Sequence, residues 1–298
     1  MTFDKLYAIQ YPAGSFGHFT HLIISNFGNN FVKSDDVVNF KNKKESGSSH
    51  FTSSMIKKYY CIDEYKDYVS ADLVSDYTRL TKNNQFVTVI IDSGIADDSI
   101  EFLQFFPGAK HIRITYDDYS WPFSAKAFYT RCMAEVLHKK TSISQFIEPD
   151  ADRWNSNDPW EQREKYFLFL KEHPFREYWR DLNNCTNINV DKYLSYNELA
   201  TALSFSCIGD FEEVYDQFFK ANKTHIEWYL ECRRVLEALK NKENISLSNI
   251  NDLFSQATIN YYIYIIYNFE VPAWDYRDWF VNTTDIFDLL EKNNIIIN

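Results

Sequence analysis

Lys5–Phe27 reads KLYAIQYPAGSFGHFTHLIISNF, and its local patterning decides the fold. Leu6-Tyr7-Ala8-Ile9-Gln10-Tyr11 alternates as a strand does and stops at Pro12. Ala13-Gly14-Ser15-Phe16-Gly17 follows as a loop rich in small residues. From His18 onward, apolar side chains fall at Phe19, Leu22, Ile23 and Phe27, a helical spacing. The unit is therefore strand, tight loop, helix. Such a loop gathers unpaired backbone N–H groups at a helix N-terminus, where the dipole also favours negative charge. Gly14 and Gly17 permit φ values and close approaches that larger residues block. Phosphate or sulfate binding suits this geometry best, although similar turns also serve as plain connections. The loop is not a Walker A motif, because His18-Phe19-Thr20 stands where GxxxxGK[ST] requires Lys and Ser or Thr, and GxGxxG is absent. Hydrolysis of ATP or GTP is thereby disfavoured.

Outward from this unit, Gly28 to Ser54 is polar and contains Glu45-Ser46-Gly47-Ser48-Ser49-His50, the pattern of a long surface excursion. His50 is a solvated loop residue or a ligand contact. Met55 to Leu80 is helical in parts. Gln85 to Asp92 (QFVTVIID) is β-branched and too short for a helix, as a strand buried on both faces would be. A helix is expected from Asp97 to Phe106, stopped by Pro107-Gly108. A strand then covers Ala109 to Tyr116 and a helix Ser120 to His138, with Pro122 in its first turn. Alternating β and α elements predict an α/β fold, a parallel sheet flanked by helices, followed by a mostly helical C-terminal half. Asn187 to Leu194 is one more candidate strand. Helices are expected from Ser195, from Asp210 to Lys240 and around the aromatic run Asn260 to Tyr267. No linker marks a domain boundary, so 1–298 reads as a single domain. Ligands of parallel sheets gather at the carboxyl ends of the strands, which points to Pro12–His18, Asp92-Ser93 and Tyr116–Ser124 as the walls of one site.

The chain has 298 residues, 45% of them hydrophobic and 18% aromatic, enough to bury a substantial core. Its net charge of −11 argues against nucleic acid as a partner. No 18-residue apolar run and no leading signal segment appear, so a soluble, cytoplasmic protein with no membrane partner is expected. Cys61, Cys132, Cys185, Cys207 and Cys232 are widely spaced, without a CxxC pair, and support neither a zinc site nor a disulfide framework. The heavy use of Asn, Lys, Ile, Tyr and Phe is what an AT-rich genome, viral genomes included, would encode.

Tyr11-Pro12-Ala13-Gly14-Ser15-Phe16-Gly17-His18 resembles the loop with which P-loop sulfotransferases cradle the phosphosulfate of 3′-phosphoadenosine 5′-phosphosulfate. Phe106-Pro107-Gly108-Ala109-Lys110 resembles the segment introducing the second signature strand of that family. The chain looks closest to the divergent sulfotransferase-like proteins of marine bacteriophages, to which Trp279-Phe280-Val281-Asn282-Thr283 is also similar; host cytoplasm would then be the location. The resemblance implies transfer of a sulfuryl group to a hydroxyl or amine of a small-molecule or glycan acceptor, without a metal. It implies donor contacts from Pro12, Ala13, Gly14, Ser15, Phe16, Gly17, His18 and Phe19. Ser124 falls where the family's serine holds the 3′-phosphate, and Tyr116 falls where it has an arginine.

Asp92 is the candidate base under this resemblance, against the simpler reading of a turn residue at a strand end. Ala13 stands where many family members carry a lysine, and losing such a donor is worth roughly 3 kcal/mol in the transition state. His18 is the candidate substitute. Arg113 lies at an odd offset from Tyr116 and so points to the other face of its strand. His111 reads as a half-buried strand residue, and Lys126 and Arg131 as solvated positions on the following helix. Two other functions fit the sequence. One is a non-catalytic descendant of the fold, acting as a binding or virion-associated protein. The other is a nucleotide-sugar glycosyltransferase, given His111-Ile112-Arg113 followed by Asp117-Asp118.

Overall fold

In the computed structural model, which describes residues 2–12, 15–33, 77–92, 107–137, 157–172, 184–204, 209–247, 250, 252–272, 277–278 and 285–295, the alternating run LYAIQY forms β1 (Leu6–Tyr11). All six of its residues are buried, as a strand covered on both faces requires. In chain order there follow α1 (Gly17–Phe27), β2 (Val87–Asp92), β3 (Lys110–Thr115), α2 (Trp121–Leu137), α3 (Pro159–Glu172) and β4 (Thr186–Asn189). A 3-10 helix (Val190–Leu194), α4 (Tyr196–Ala202), α5 (Glu212–Ala221), α6 (Lys223–Asn241), α7 (Leu253–Tyr267) and α8 (Ile286–Lys292) complete the described elements. The fold is α/β, with a four-stranded parallel sheet in the order β2-β1-β3-β4 and a mostly helical C-terminal half.

The backbone divides into two compact units, Met1–Ser120 with Glu177–Lys223, and Trp121–Arg176 with Thr224–Asn298. The first unit contains the whole sheet. α1 lies on the face that carries Tyr11 and Thr88: His21 Nδ1 shares a hydrogen bond of 2.7 Å with Thr88 Oγ1, and Ser25 Oγ lies 3.2 Å from the same hydroxyl. Its other flank packs on α5, where Phe19 stacks on Phe218 with centroids 3.9 Å apart and planes within 9°. Thr20 and Tyr193 join hydroxyls, and Tyr215 OH donates to the Tyr193 carbonyl at 3.0 Å, so α1, the 3-10 helix and α5 are tied by one polar chain. The opposite sheet face carries Gln10 and Arg113, which are partners in register and both buried.

The second unit is helical. Tyr129, Tyr166 and Phe169 cluster between α2 and α3, with Phe254 of α7 edge-on to Tyr166. Asp252 caps α7 by accepting from the N–H groups of Phe254 and Ser255, both at 3.0 Å. The aromatic run Asn260 to Tyr267 is core in its first half, where Asn260, Tyr261, Tyr262 and Ile263 are buried, and half-buried from Tyr264 to Tyr267.

Two expectations are corrected. The candidate strand Asn187–Leu194 is β4 only as far as Asn189, whose side chain accepts from Asp191 N at 2.9 Å and turns the chain into the 3-10 helix. The single helix expected from Asp210 to Lys240 is two, because Asn222 caps α5 with both its backbone N–H and its side-chain amide on the Phe218 carbonyl. The expected helix over Asp97–Phe106, His50 and most of Met55–Leu80 lie outside the described residues.

Two outcomes test the β1–α1 packing. A Cβ on Gly17 would lie 2.0 Å from Tyr11 Cγ and Cδ1, so Gly17→Ala is expected to cost about 1–3 kcal/mol in urea denaturation. An unchanged midpoint would contradict the close approach. Burial, reinforced by His18, pushes the His21 pKa down to about 3. The unfolded chain therefore takes up a proton at His21 that the native state refuses. This contribution to stability is complete above about pH 6.5 and is lost as pH falls towards 3, at up to about 1.4 kcal/mol per unit. His21→Gln should make the acid slope between pH 6.5 and 4.5 shallower in urea titrations; an identical slope would contradict a neutral buried His21.

Candidate functional site

The chain leaves β1 for β2 on one side of the sheet, then crosses to β3 on the other. The carboxyl ends of β1 and β3 therefore flank a topological switch point, where α/β sheets open a crevice. Tyr11, the last residue of β1, pairs in register with Asp92, the last residue of β2. The sheet thus brings the loop after Tyr11 and the backbone of Asp92 to one edge, as the sequence leads one to expect. The loop after β3 reaches the same edge from the other side. It is shaped by a reciprocal turn in which Asp117 Oδ1 accepts from Tyr119 N at 2.9 Å and Ser120 N at 2.7 Å, while Asp117 N donates to Ser120 Oγ. Tyr116, just after β3, is buried.

The loop after β1 holds itself together. Ser15 is fully buried, and both its N–H and its hydroxyl donate to the Pro12 carbonyl, at 3.2 and 2.6 Å. The serine hydroxyl is thus committed to the loop. Phe16 adopts the left-handed conformation, φ 58° and ψ 27°, at the N-cap of α1. A bulky residue in this region is held at a cost of order 1–3 kcal/mol, and such residues cluster at functional sites. Its ring compensates by packing 4.9 Å from Phe218 and 5.6 Å from Tyr193. Gly17, expected to relax φ, instead makes room for the Tyr11 ring; the left-handed residue is Phe16.

Phe16, the N-cap residue of α1, makes no side-chain capping hydrogen bond, and no acidic residue stands in the first turn. Thr20 N is the first amide with an intrahelical acceptor, the Phe16 carbonyl at 3.1 Å. The amides before it point out of the helix end, aligned with the positive end of the dipole. Negative charge is favoured at such a helix end.

The other predicted residues divide clearly. Phe16 and Phe19 turn their rings into the core, so a contact with a ligand would come through their backbone. His18 packs edge-on to the Tyr11 ring at 5.6 Å in the first turn of α1. Arg113 points to the face away from Tyr11 and donates from Nη1 to Gln10 Oε1 at 3.3 Å. His111 is half-buried, and burial lowers its pKa to about 4. Ser124 belongs to the second unit, where its buried Oγ has no hydrogen-bond partner among the described residues. Lys126, expected in solvent, is instead half-buried against the Trp228 ring, 3.8 Å from its centre. Ala13, Gly14, Ser93 and the side chains of Asp92 and Arg131 lie outside the described residues.

Sequence reasoning missed the Gln10–Arg113 pair and the Asp117–Ser120 turn. The second had a signal, an Asp three residues before a Ser at a helix start. The first had none, because only the β1–β3 register makes partners of two polar residues in separate strands. Among the described residues, no group of three His, Cys, Asp or Glu could hold a metal ion, and no helix is long and apolar enough to cross a membrane. Protein-family models, curated proteins and solved structures contain no match to this chain.

Proposed function

We propose that the switch point of the sheet is a donor site for sulfuryl transfer, taking 3′-phosphoadenosine 5′-phosphosulfate and passing its sulfuryl group to a hydroxyl or amine. The observation that carries this reading is the position of the α1 N-terminus, which follows the end of an interior strand after five intervening residues, at the carboxyl edge of the sheet beside its switch point. Backbone N–H groups at a helix N-terminus hold an anion without a side-chain donor. The donor supplies an activated sulfuryl group, and the chain's residues bind and orient it. Backbone N–H groups of Gly17, His18 and Phe19 hold the phosphate that departs and gather its developing charge. Asp92, at the neighbouring strand end, takes the proton from the acceptor as its oxygen or nitrogen closes on sulfur in line with the breaking bond. The rings of Phe16 and Phe19, anchored on Phe218, keep the loop rigid during this step.

A second reading, a non-catalytic descendant that binds through the same edge, is favoured by two features. Ala13 leaves the loop without the cation that would stabilise the bridging oxygen, and Arg113 is turned to the far side of the sheet towards Gln10. The glycosyltransferase reading gains less support, since Asp117 is occupied in its own turn. Neither alternative needs the α1 terminus to act differently on an anion.

Calorimetric titration with 3′-phosphoadenosine 5′-phosphate tests the donor site. Micromolar binding is expected for the parent chain, and Asp92→Asn should bind equally while losing at least about a hundredfold in transfer rate to any acceptor found. Binding without turnover in an acceptor screen would favour the second reading. No heat at millimolar ligand would overturn the proposal.

A further inference from the structure

The helical second unit holds a lysine whose surroundings differ from those of a surface amine. Lys126, on α2, places Nζ 3.8 Å from the centre of the Trp228 ring and 5.1 Å from that of Phe254. Nζ makes no hydrogen bond or ion pair to a described residue. The carboxylate that acts on it, Asp252, is committed elsewhere: it caps α7 through Phe254 N and Ser255 N and also accepts the Ser255 hydroxyl. Beside Lys126, the His225 ring is sandwiched between Phe123, 4.6 Å away, and Trp228, 5.7 Å away. His225 Nε2 lies 3.0 Å from the Phe123 carbonyl, which can only accept, so Nε2 carries the proton. Burial, then the charge of Lys126, lowers the His225 pKa to about 4, so this histidine is neutral at physiological pH. The Cys232 thiol of α6 is held protonated by burial, as are the phenols of Tyr129 on α2 and Tyr166 on α3, which pack on Phe254; Tyr229 of α6 packs on Phe123 and Trp228.

An amine in such a setting has lost hydration without gaining an ion pair to a described residue. The ring faces attract its cation, but burial outweighs that together with the distant pull of Asp252, and lowers the Lys126 pKa to about 8. Desolvated lysines beside aromatic walls are the kind that attack carbonyl carbon.

We propose that Lys126 is a nucleophilic amine that captures small aldehydes as imines, with Trp228 and Phe254 as the wall against which the aldehyde's apolar part rests. The neutral Nζ gives its lone pair to the carbonyl carbon, and the C=O π electrons pass to oxygen. That oxygen takes up a proton and Nζ releases one. Loss of water from the carbinolamine then leaves the C=N bond. One amine and one aldehyde thus give one imine and one water, with no change of oxidation state. The site lies wholly within the second unit and is independent of the sulfuryl-transfer reading.

The test uses the full chain with limiting pyridoxal, trapped by sodium cyanoborohydride, whose hydride reduces the imine to a stable secondary amine. Occupancy at each lysine is read by peptide mass spectrometry at pH 8 and pH 10.5. At pH 8 a lysine with pKa near 8 is about half neutral whereas an ordinary lysine is under about 1% neutral, and its lower basicity offsets part of that gain. Lys126 should therefore be labelled about tenfold more than the exposed Lys192 and Lys242 at pH 8, the ratio falling towards one at pH 10.5. Lys126→Arg should remove the dominant pH 8 adduct and leave Lys192 labelling unchanged. Equal or weaker labelling of Lys126 at pH 8, or a dominant adduct that survives Lys126→Arg, would overturn the proposal.

Discussion

The Tyr11 ring occupies the space where a side chain on residue 17 would begin, and much of the first unit depends on that approach. Tyr11 ends the central strand and Gly17 begins the helix that covers it. Bringing the two into contact leaves only a short loop in which to reverse the chain. The reversal is achieved by two measures. Ser15 folds both of its donors onto the Pro12 carbonyl, and Phe16 takes a left-handed backbone that a phenylalanine adopts only when its ring is well anchored. The anchor is α5, through Phe218, and α5 is fixed in turn by Tyr215 on the 3-10 helix that follows β4. Among the described loop residues, the left-handed turn is thus held by packing from α5, and it falls on Phe16 and not on Gly17.

The same constraint explains why the N-cap residue of α1 supplies no side-chain cap. A residue at the N-cap that must be left-handed and aromatic cannot also be the Ser, Thr, Asp or Asn that would satisfy the first amides. The positive end of the α1 dipole stands at the carboxyl edge of the sheet. The side chains reinforce this by what they avoid: no acidic residue stands in the first turn, in a chain whose net charge is −11. An anion-binding function is the chemistry most consistent with that local exception. The buried Arg113 belongs to another part of the economy of the fold, the polar seam with Gln10 on the opposite face.

Strand, loop and helix at the N-terminus were legible because their periods are short and unambiguous, and the three following β and α segments for the same reason. The parallel sheet followed from their alternation. The end of β4 was not legible, because VDKYL reads as strand by composition while the Asn189 cap, a single side-chain bond, diverts it. Nor was the break at Asn222, whose amide competes with the backbone of an otherwise continuous amphipathic run. At the site, the position of the loop and of Asp92 could be read from strand ends. The division of labour within the loop could not. Gly17 and Phe16 exchange the roles that residue type suggests, since ring packing with residues about two hundred positions away decides the backbone. Lys126 was misjudged likewise, as nothing local announces that Trp228 will cover it.

The most direct measurement is an amide-resolved NMR titration of the chain with 3′-phosphoadenosine 5′-phosphate, following the backbone N–H resonances of α1. Saturable shifts largest at Gly17, His18 and Phe19, with those of Leu22 onward little changed, are what an anion seated on the helix end predicts. Shifts absent from these three amides at saturating ligand, or concentrated on another element, would contradict it.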